Sequence, residues 1–384
     1  MRVTQNSMSR QYMKNLGNNE SRKLDYMNKI QTQRKFKRAS ENSIDASKAM
    51  TVRKQMRNLD IYDDNLNSAK ELFSSAETNL YDITGKLYKS ANTQIITASN
   101  GTYNTDDFTN FAQALDGIAD NMMDDLNADF AERQIFGGTN NSTPPFTYQK
   151  VTVTNAGGDV LYTSGDDKKI CYNGVPVSMN ASDIAAANVN GAYTVTYNGD
   201  ASTAKSVTIN FQDARTSGKN EDMFPGSKPI YTDVGLGIKY DSNYNVDPQT
   251  AIDISLNGAK CSGSGTDSDG YSKNIVQLVY DAVEACKNAD QDKLNKLIDK
   301  VTDASDAVLN SVTTLGTEQN NINFYLEKND AYRTNLDEMQ NELETYDLIG
   351  VAGLYSDYQV ADSAYQAALK LSSTVLPTSI FDFL

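Results

Sequence analysis

Apolar residues recur at spacings of three and four along the first part of the chain. The stripe runs through Val52, Met56, Leu59, Leu66, Phe73, Leu80 and Leu87, and it is widened by Ala69, Ala76 and Ile83. Such spacings return to one face of a helix that has 3.6 residues per turn. The pattern therefore predicts a long amphipathic helix.

A second, shorter stripe follows the polar turn "ASNGTYNTDD". It predicts a helix from roughly Phe108 to Phe130, with Thr105 as the N-cap ahead of two acidic residues of the first turn. One face of this helix carries Phe111, Leu115, Ile118, Met122 and Leu126.

The last part of the chain keeps a seven-residue register for longer. The register runs through Val301, Val308, Leu315, Ile322, Leu336 and Leu343, partnered by Val312, Leu326, Leu354, Ala361, Ala368 and Val375. Persistence over about ten heptads indicates a coiled coil, and about 75 helical residues would make a rod of about 110 Å. Polar residues or glycine interrupt the seam at Gln319, Asn329, Arg333, Gln340, Asp347 and Gly350. We expect that helices with such broken seams need several neighbours, and that folding is completed on assembly.

Between these helical parts, the sequence changes character. Six of the seven prolines and 16 of the 23 glycines lie between residues 137 and 270. The stretches "QKVTVTN", "GAYTVTYNGD" and "KSVTINF" alternate apolar and polar residues, which is typical of strands, and "NGVPV", "YNGD" and "LNG" predict turns. The predicted fold class is α+β and elongated, in which long N- and C-terminal helices form a coiled-coil rod with an inserted β-rich domain.

This pattern divides the chain into five segments. They are an N-terminal assembly helix and loop at 1–50, the first half of the rod at 51–145, the exposed β-rich domain at 146–272, the second half of the rod at 273–340, and an assembly helix with an apolar tail at 341–384.

Charge is distributed unevenly along the chain. Residues 1–57 carry a net charge of +10, whereas the whole chain has a formal charge of -15. Residues 274–384 hold 18 acidic against 7 basic side chains, so the basic arm has a partner within the chain or in another copy. An exposed, solvated face explains the arm equally well, and the acidic remainder disfavours nucleic acid. No run of 18 apolar residues predicts membrane insertion, and the first residues lack the apolar core of a cleaved signal peptide.

Candidate chemistry is sparse. Histidine is absent, which excludes a Ser-His-Asp hydrolase and the usual zinc sites. Cys171, Cys261 and Cys286 lie far apart, so we expect free, buried thiols. The run "GSGTDSDGYS" fits neither a dinucleotide fingerprint nor a calcium loop, and we interpret it as a flexible linker. The sequence predicts no catalytic, cofactor-binding or metal-binding residue, and hence no enzyme.

Three motifs carry a family resemblance. "MRVTQNSMSRQYMKNL", "RQIFGGTNNSTPPF" and the closing "SIFDFL" together resemble the flagellar hook-filament junction proteins of the flagellin superfamily, over roughly residues 1–146 and 273–384. The resemblance implies a structural adaptor between the hook side and the filament, located outside the cell and exported without a cleaved signal. The implied partners are further copies in a ring, hook-associated protein 1, flagellin and an export chaperone. A divergent flagellin and a secreted adhesive or carbohydrate-binding protein remain as alternatives.

The resemblance and the apolar pattern also suggest contact residues. Within "TQRKFKRASENS", five residues match the family in type: Arg34, Lys35, Phe36, Arg38 and Ser40. Other positions differ from the family. Gln33 replaces a glycine, Ala39 and Ser43 replace prolines, and Glu41 with Asn42 replaces a pair of acidic residues. We therefore expect a less strongly encoded turn. The remaining subunit-interface candidates are Leu336, Leu343, Ile380, Phe381, Phe383 and Leu384.

Overall fold

A computed structural model describes residues 5–375, apart from 141, 243 and 248. The chain divides into two compact units. Unit 1 combines the residues up to 61 with those from 327 onward, and unit 2 comprises residues 62–326. Long helices lie on either side of a β-rich region in the sequence, so the predicted α+β class is confirmed.

The predicted first helix is present and is longer than its apolar stripe. Helix α1 spans Gln5–Thr32 and α2 spans Ser43–Asp82, after which a π-helical turn, Ile83–Leu87, leads directly into α3, Tyr88–Asn100. Leu66, Phe73 and Leu80 are almost completely buried. The 3.6-residue period thus identified the core-facing side of α2.

Helix α4, Thr105–Leu126, corrects two details of the sequence prediction. Its N-cap is Asn104, not Thr105, because the Asn104 side chain accepts from the Asp107 amide at 2.9 Å while Asp107 accepts from the Asn104 amide at 3.2 Å. The reciprocal bonds form a capping box. The helix also ends before Phe130, which lies in strand β1, Asp129–Phe130, paired with β2, Arg133–Gln134.

The β-rich region contains three further antiparallel sheets. The first sheet has the order β3 (Phe146–Gln149), β6 (Lys169–Tyr172) and β7 (Val175–Pro176). The second has the order β5 (Val160–Thr163), β4 (Val151–Thr154), β8 (Gly191–Tyr197) and β9 (Asp200–Ile209). Strands β10 (Tyr231–Asp233) and β11 (Ala251–Asp253) form a pair. The predicted strands around Val151, Gly191 and Lys205 are confirmed.

Two of the three predicted turns join paired strands. Asn173 and Gly174 have φ angles of 47° and 85° and connect β6 to β7, and Asn198 and Gly199, at 53° and 71°, connect β8 to β9. The prediction of a turn at "LNG" was wrong, since Asn257 caps helix α6, Gly258–Ser262, by accepting from the Ala259 amide at 2.9 Å. Side-chain capping and turn formation favour the same residue types.

The glycines of "FGGT" lie where the outgoing chain runs beside the returning chain. The Gly138 amide donates to the Leu256 carbonyl at 3.0 Å, and the Gly258 amide donates to the Phe136 carbonyl at 3.0 Å. Gly138 has a φ of 64°, and a Cβ added there would lie 2.1 Å from the carbonyl oxygen of Gly226. Three backbone segments therefore meet at a position that excludes any side chain.

The loop "GSGTDSDGYS" is not the flexible linker that the sequence suggested. Thr266 and Ser272 form an isolated β-bridge, and Lys300 makes ion pairs with Asp267 at 2.5 Å and with Asp269 at 2.8 Å. The lysine comes from helix α8, Gln291–Glu344, so the fixing interaction is distant in the sequence.

The C-terminal heptad series is divided between two helices. After the short helix α5, Phe211–Ser217, and the 3₁₀ turn Asn220–Met223, the chain forms α6, α7 (Ile275–Lys287), α8 (Gln291–Glu344) and α9 (Leu348–Val375). The break at residues 345–347 coincides with the seam interruption that the sequence predicts at Asp347. Val301, Val308, Leu315, Ile322 and Leu336 are buried on α8, as the register predicts.

Candidate assembly interface

Unit 1 consists of two antiparallel helix pairings. Tyr12 of α1 donates to the Ala368 carbonyl of α9 at 2.6 Å, and Lys23 forms an ion pair with Asp362 at 2.6 Å. The contact further along α1 involves a residue earlier in α9, so the two helices pair in an antiparallel arrangement.

The second pairing joins the start of α2 to the end of α8. Arg53 forms an ion pair with Glu344 at 2.5 Å, and Arg333 forms one with Asp60. Arg333, which interrupts the apolar seam, therefore contributes a charged contact instead. Arg53–Glu344 and Lys23–Asp362 pair a basic N-terminal with an acidic C-terminal side chain within one chain, whereas Arg333–Asp60 has the opposite sense.

A short β-bridge links the two helix breaks of unit 1. Residues 33–42 separate α1 from α2, and residues 345–347 separate α8 from α9. The Lys35 amide donates to the Glu344 carbonyl at 2.8 Å, and the Tyr346 amide donates to the Gln33 carbonyl at 2.8 Å. The Lys35 ammonium also donates to the Glu342 carbonyl. We call these residues, 33–42 and 344–347, the bridged loops.

The residues that depart from the family pattern have clear local roles in the bridged loops. Gln33 has a φ of 55°, so it holds the left-handed conformation at the end of α1 that favours glycine. Asn42 caps α2, because its side-chain oxygen accepts from the Asp45 amide at 3.2 Å and its side-chain nitrogen donates to the Asp45 carboxylate at 2.6 Å. An N-cap at Asn42 therefore specifies the end of this loop, which lacks prolines.

The predicted contact residues differ in accessibility. Arg34, Arg38 and Ser40 are exposed, Lys35 and Phe36 are half-buried, and all five lie in the bridged loops. Within the described ranges, Arg34, Lys37 and Arg38 form no ion pair. This side of the loop therefore presents uncompensated positive charge.

The other candidates are distributed along the C-terminal helices. Leu336 is buried inside unit 1 and Leu343 is half-buried, so neither presents a large apolar surface in one chain. Ile380, Phe381, Phe383 and Leu384 lie outside the described residues.

Sequence reasoning missed several strongly exposed apolar side chains of unit 1. Leu348 and Ile349, at the start of α9, are 91% and 82% exposed, and Ile44 and Met50 of α2 are 68% and 66% exposed. We call these four residues the apolar surface of unit 1. The signal was present as two adjacent aliphatic residues directly after the polar "ETYD", but both residues lie outside the seven-residue register that guided the prediction. Exposed apolar side chains of this size are typical of interaction sites.

The described residues offer little to a metal ion or an active site. They contain no group of three or more His, Cys, Asp or Glu residues arranged to hold a metal ion. The three cysteines are buried and free, as predicted, and burial raises the pKa of Cys171 to about 12. Among the described helices, none combines the length and the apolar character that a membrane crossing needs.

A comparison with protein families shows which class of protein the first part of the chain resembles. The family described as the bacterial flagellin N-terminal helical region matches residues 3–141, which include α1 to α4 and the β1–β2 hairpin. Over these residues the chain is similar to the N-terminal helical region of the flagellins.

Individual proteins that are similar to this chain are flagellar hook-associated proteins. Flagellar hook-associated protein 3 of Escherichia coli (strain K12) is 27% identical over 151 residues, which are 39% of this chain and 47% of the relative, so the match spans about half of that protein's length. A flagellar hook-associated protein from Vibrio parahaemolyticus has the same fold, with a TM-score of 0.50 at 13% identity over 79% of this chain and 100% of that chain. Flagellar hook-associated protein-3 from Legionella pneumophila aligns at 14% identity, with a TM-score of 0.43 over 77% of this chain and 98% of that chain. The resemblance to hook-filament junction proteins is confirmed.

Proposed function

We propose that this protein is a structural adaptor of the bacterial flagellum that joins the hook side to the filament. The match to hook-associated protein 3 supports this role. The proposed assembly step rests on the apolar surface of unit 1, whose four residues are 66% to 91% exposed. Burying each such side chain in a neighbouring copy contributes about 1.5–3 kcal/mol.

The same proposal assigns partners and location. Further copies form a ring, hook-associated protein 1 and flagellin lie on its two sides, and an export chaperone holds the protein before it leaves the cell without a cleaved signal. Within this proposal, segments 1–50 and 341–384 serve assembly, and segment 146–272 is the exposed β-rich domain. We assign no catalytic role.

Charge defines a second part of the proposed contact. Arg34, Lys37 and Arg38 face solvent without ion pairs among the described residues, whereas the C-terminal region is acidic. The bridged loops of one copy therefore contact the acidic face of α8 or α9 in the next. Charge reversal at Arg34 and Arg38 avoids Lys35, whose backbone and side chain hold the bridge together.

Complementation of a deletion strain tests the proposal. The strain should keep hooks, lack filaments and release flagellin into the medium, and the wild-type gene should restore filaments. Leu348→Gln with Ile349→Gln, and separately Arg34→Glu with Arg38→Glu, should be secreted normally yet restore few filaments. Val160→Gln, on the exposed β5 strand, is the matched control and should restore filaments fully.

Two outcomes separate the alternatives. A protein that forms most of the mass of sheared filaments is a flagellin, whereas a trace component at the filament base fits the adaptor. Binding of the full chain to a glycan array, together with filaments that form normally without the gene, would favour the adhesive role and overturn the proposal.

A further inference from the structure

A groove in unit 2 lies beside the β1–β2 hairpin. It has a volume of about 380 Å³, and its floor is formed by Leu72, Ile135, Ile254 and Leu256. We call it the hairpin groove. Its size falls within the range of about 300–1,000 Å³ that is typical of ligand sites.

Two consecutive residues of the hairpin bring unused polar groups to this groove. The side-chain oxygen of Gln134 is inaccessible to solvent and accepts no hydrogen bond. Arg133 is exposed, and none of the described residues forms an ion pair with it. A buried acceptor without a donor costs free energy in the free protein. The groove therefore offers a cation beside apolar side chains.

The hairpin turn itself is strained. Ala131 and Glu132 have φ angles of 50° and 64°, in the left-handed region. Two-residue hairpins with such angles favour Asn-Gly, which this chain uses at Asn173–Gly174 and at Asn198–Gly199. Strain of this kind is retained chiefly at functional sites. The turn residues beside the groove are therefore not the ones that turn geometry alone would select.

We propose that the hairpin groove binds the apolar segment 378–384 of a second copy of this chain. The segment reads "TSIFDFL". In an extended segment, alternate side chains face the same side, so Phe381 and Phe383 face the apolar floor while Asp382 faces the rim at Arg133. Glu71 lines the groove and disfavours a more acidic segment.

The inference stands apart from the proposed flagellar function, because it concerns binding between two copies in solution. The test uses the full chain carrying Phe381→Ser and Phe383→Ser, so that its own segment does not compete. A fluorescent, amidated peptide of residues 376–384 is titrated with this protein, and its anisotropy is measured. We expect saturable binding in the micromolar range.

Matched variants locate the contact. Arg133→Glu should weaken peptide binding by about tenfold, and a peptide with Asp382→Lys should recover most of that loss with the Arg133→Glu protein. Lys205→Glu reverses an exposed charge on β9 and should leave affinity unchanged.

Absence of saturable binding overturns the proposal. So does an Arg133→Glu protein that binds as well as its parent, a Lys205→Glu protein that loses as much affinity, or a charge-swapped pair that gains nothing.

Discussion

The Tyr346 amide donates a hydrogen bond to the Gln33 carbonyl at 2.8 Å. This bond joins the end of α1 to the break between α8 and α9, although 313 positions separate the two residue numbers. Both helix breaks of unit 1 are therefore held by one local structure, in which Gln33 has a positive φ of 55°.

Replacing Gln33 with glycine should stabilise the bridged loops by about 0.5–1 kcal/mol. Glycine removes the cost of a left-handed side chain, and the entropy that it adds to the unfolded chain offsets only part of the gain. Hydrogen exchange at the Lys35 and Tyr346 amides should slow by about threefold. Gln33→Ala keeps the Cβ and should leave hydrogen exchange at these amides unchanged. Equally slowed exchange in both variants would show that the left-handed conformation of Gln33 is not strained.

Gly138→Ala should destabilise unit 2 by about 3 kcal/mol, because the new Cβ meets the Gly226 carbonyl oxygen at 2.1 Å as well as a φ of 64°. Gly165 has a φ of 63° with open space around it, so Gly165→Ala should cost only about 1 kcal/mol. Chemical denaturation measures both. Equal losses would mean that backbone angle, not close approach, requires glycine at 138.

Arg53→Ala should reduce the stability of unit 1 by about 1 kcal/mol. The Glu344 side chain is 11% exposed and one of its oxygens has no partner, so loss of Arg53 leaves a carboxylate poorly solvated. The Arg53 side chain is itself 46% exposed, which limits the effect. Glu344→Gln in the Arg53→Ala background should recover most of the loss, and a double-mutant cycle without coupling would count against the pair.

Stability should also depend on pH through Asp125. Burial, with Asp82 and Asp124 nearby, raises the pKa of Asp125 to about 6, and Lys86 opposes the shift. The folded state then binds more protons than the unfolded state between about pH 4 and 6, so the stability contribution is present at low pH and is lost as pH rises through this window.

Asp125→Asn should therefore raise the thermal midpoint at pH 7.5 and leave it unchanged near pH 4. The gain should be at most about 1 kcal/mol, because solvent screens this partly exposed group. Asp64→Asn removes the same charge from an exposed position on α2 and serves as the control. A midpoint difference that is equal at both pH values would contradict the raised pKa.

Local periodicity predicted much of the fold. Leu66, Phe73 and Leu80 follow the helical period, and Val151 and Val153 follow the strand period, so burial on one face was readable from spacing alone. Asn198–Gly199 was equally readable, since its turn needs positive φ at both positions.

The features that sequence reasoning missed depend on distant partners or on competing local choices. The break at 345–347 is fixed by backbone bonds to Gln33 and Lys35, and the loop at 263–272 is fixed by Lys300. Asn104 and Thr105 are both good N-caps, and only the reciprocal bond from Asp107 selects the asparagine. Leu348 and Ile349 begin α9 directly after this break, and their exposure depends on where α8 ends.

The two halves of unit 1 are separated in the sequence by all of residues 62–326. Its contacts therefore have a very high contact order, and closing so long a loop is entropically unfavourable and slow. Within unit 2, the Gln319 amide nitrogen donates to Glu77 at 2.7 Å and brings α2 and α8 together, so most of that closure is complete once unit 2 has folded. We expect a folding sequence in which unit 2 leads and unit 1 follows, and in which denaturant melts them in the reverse order.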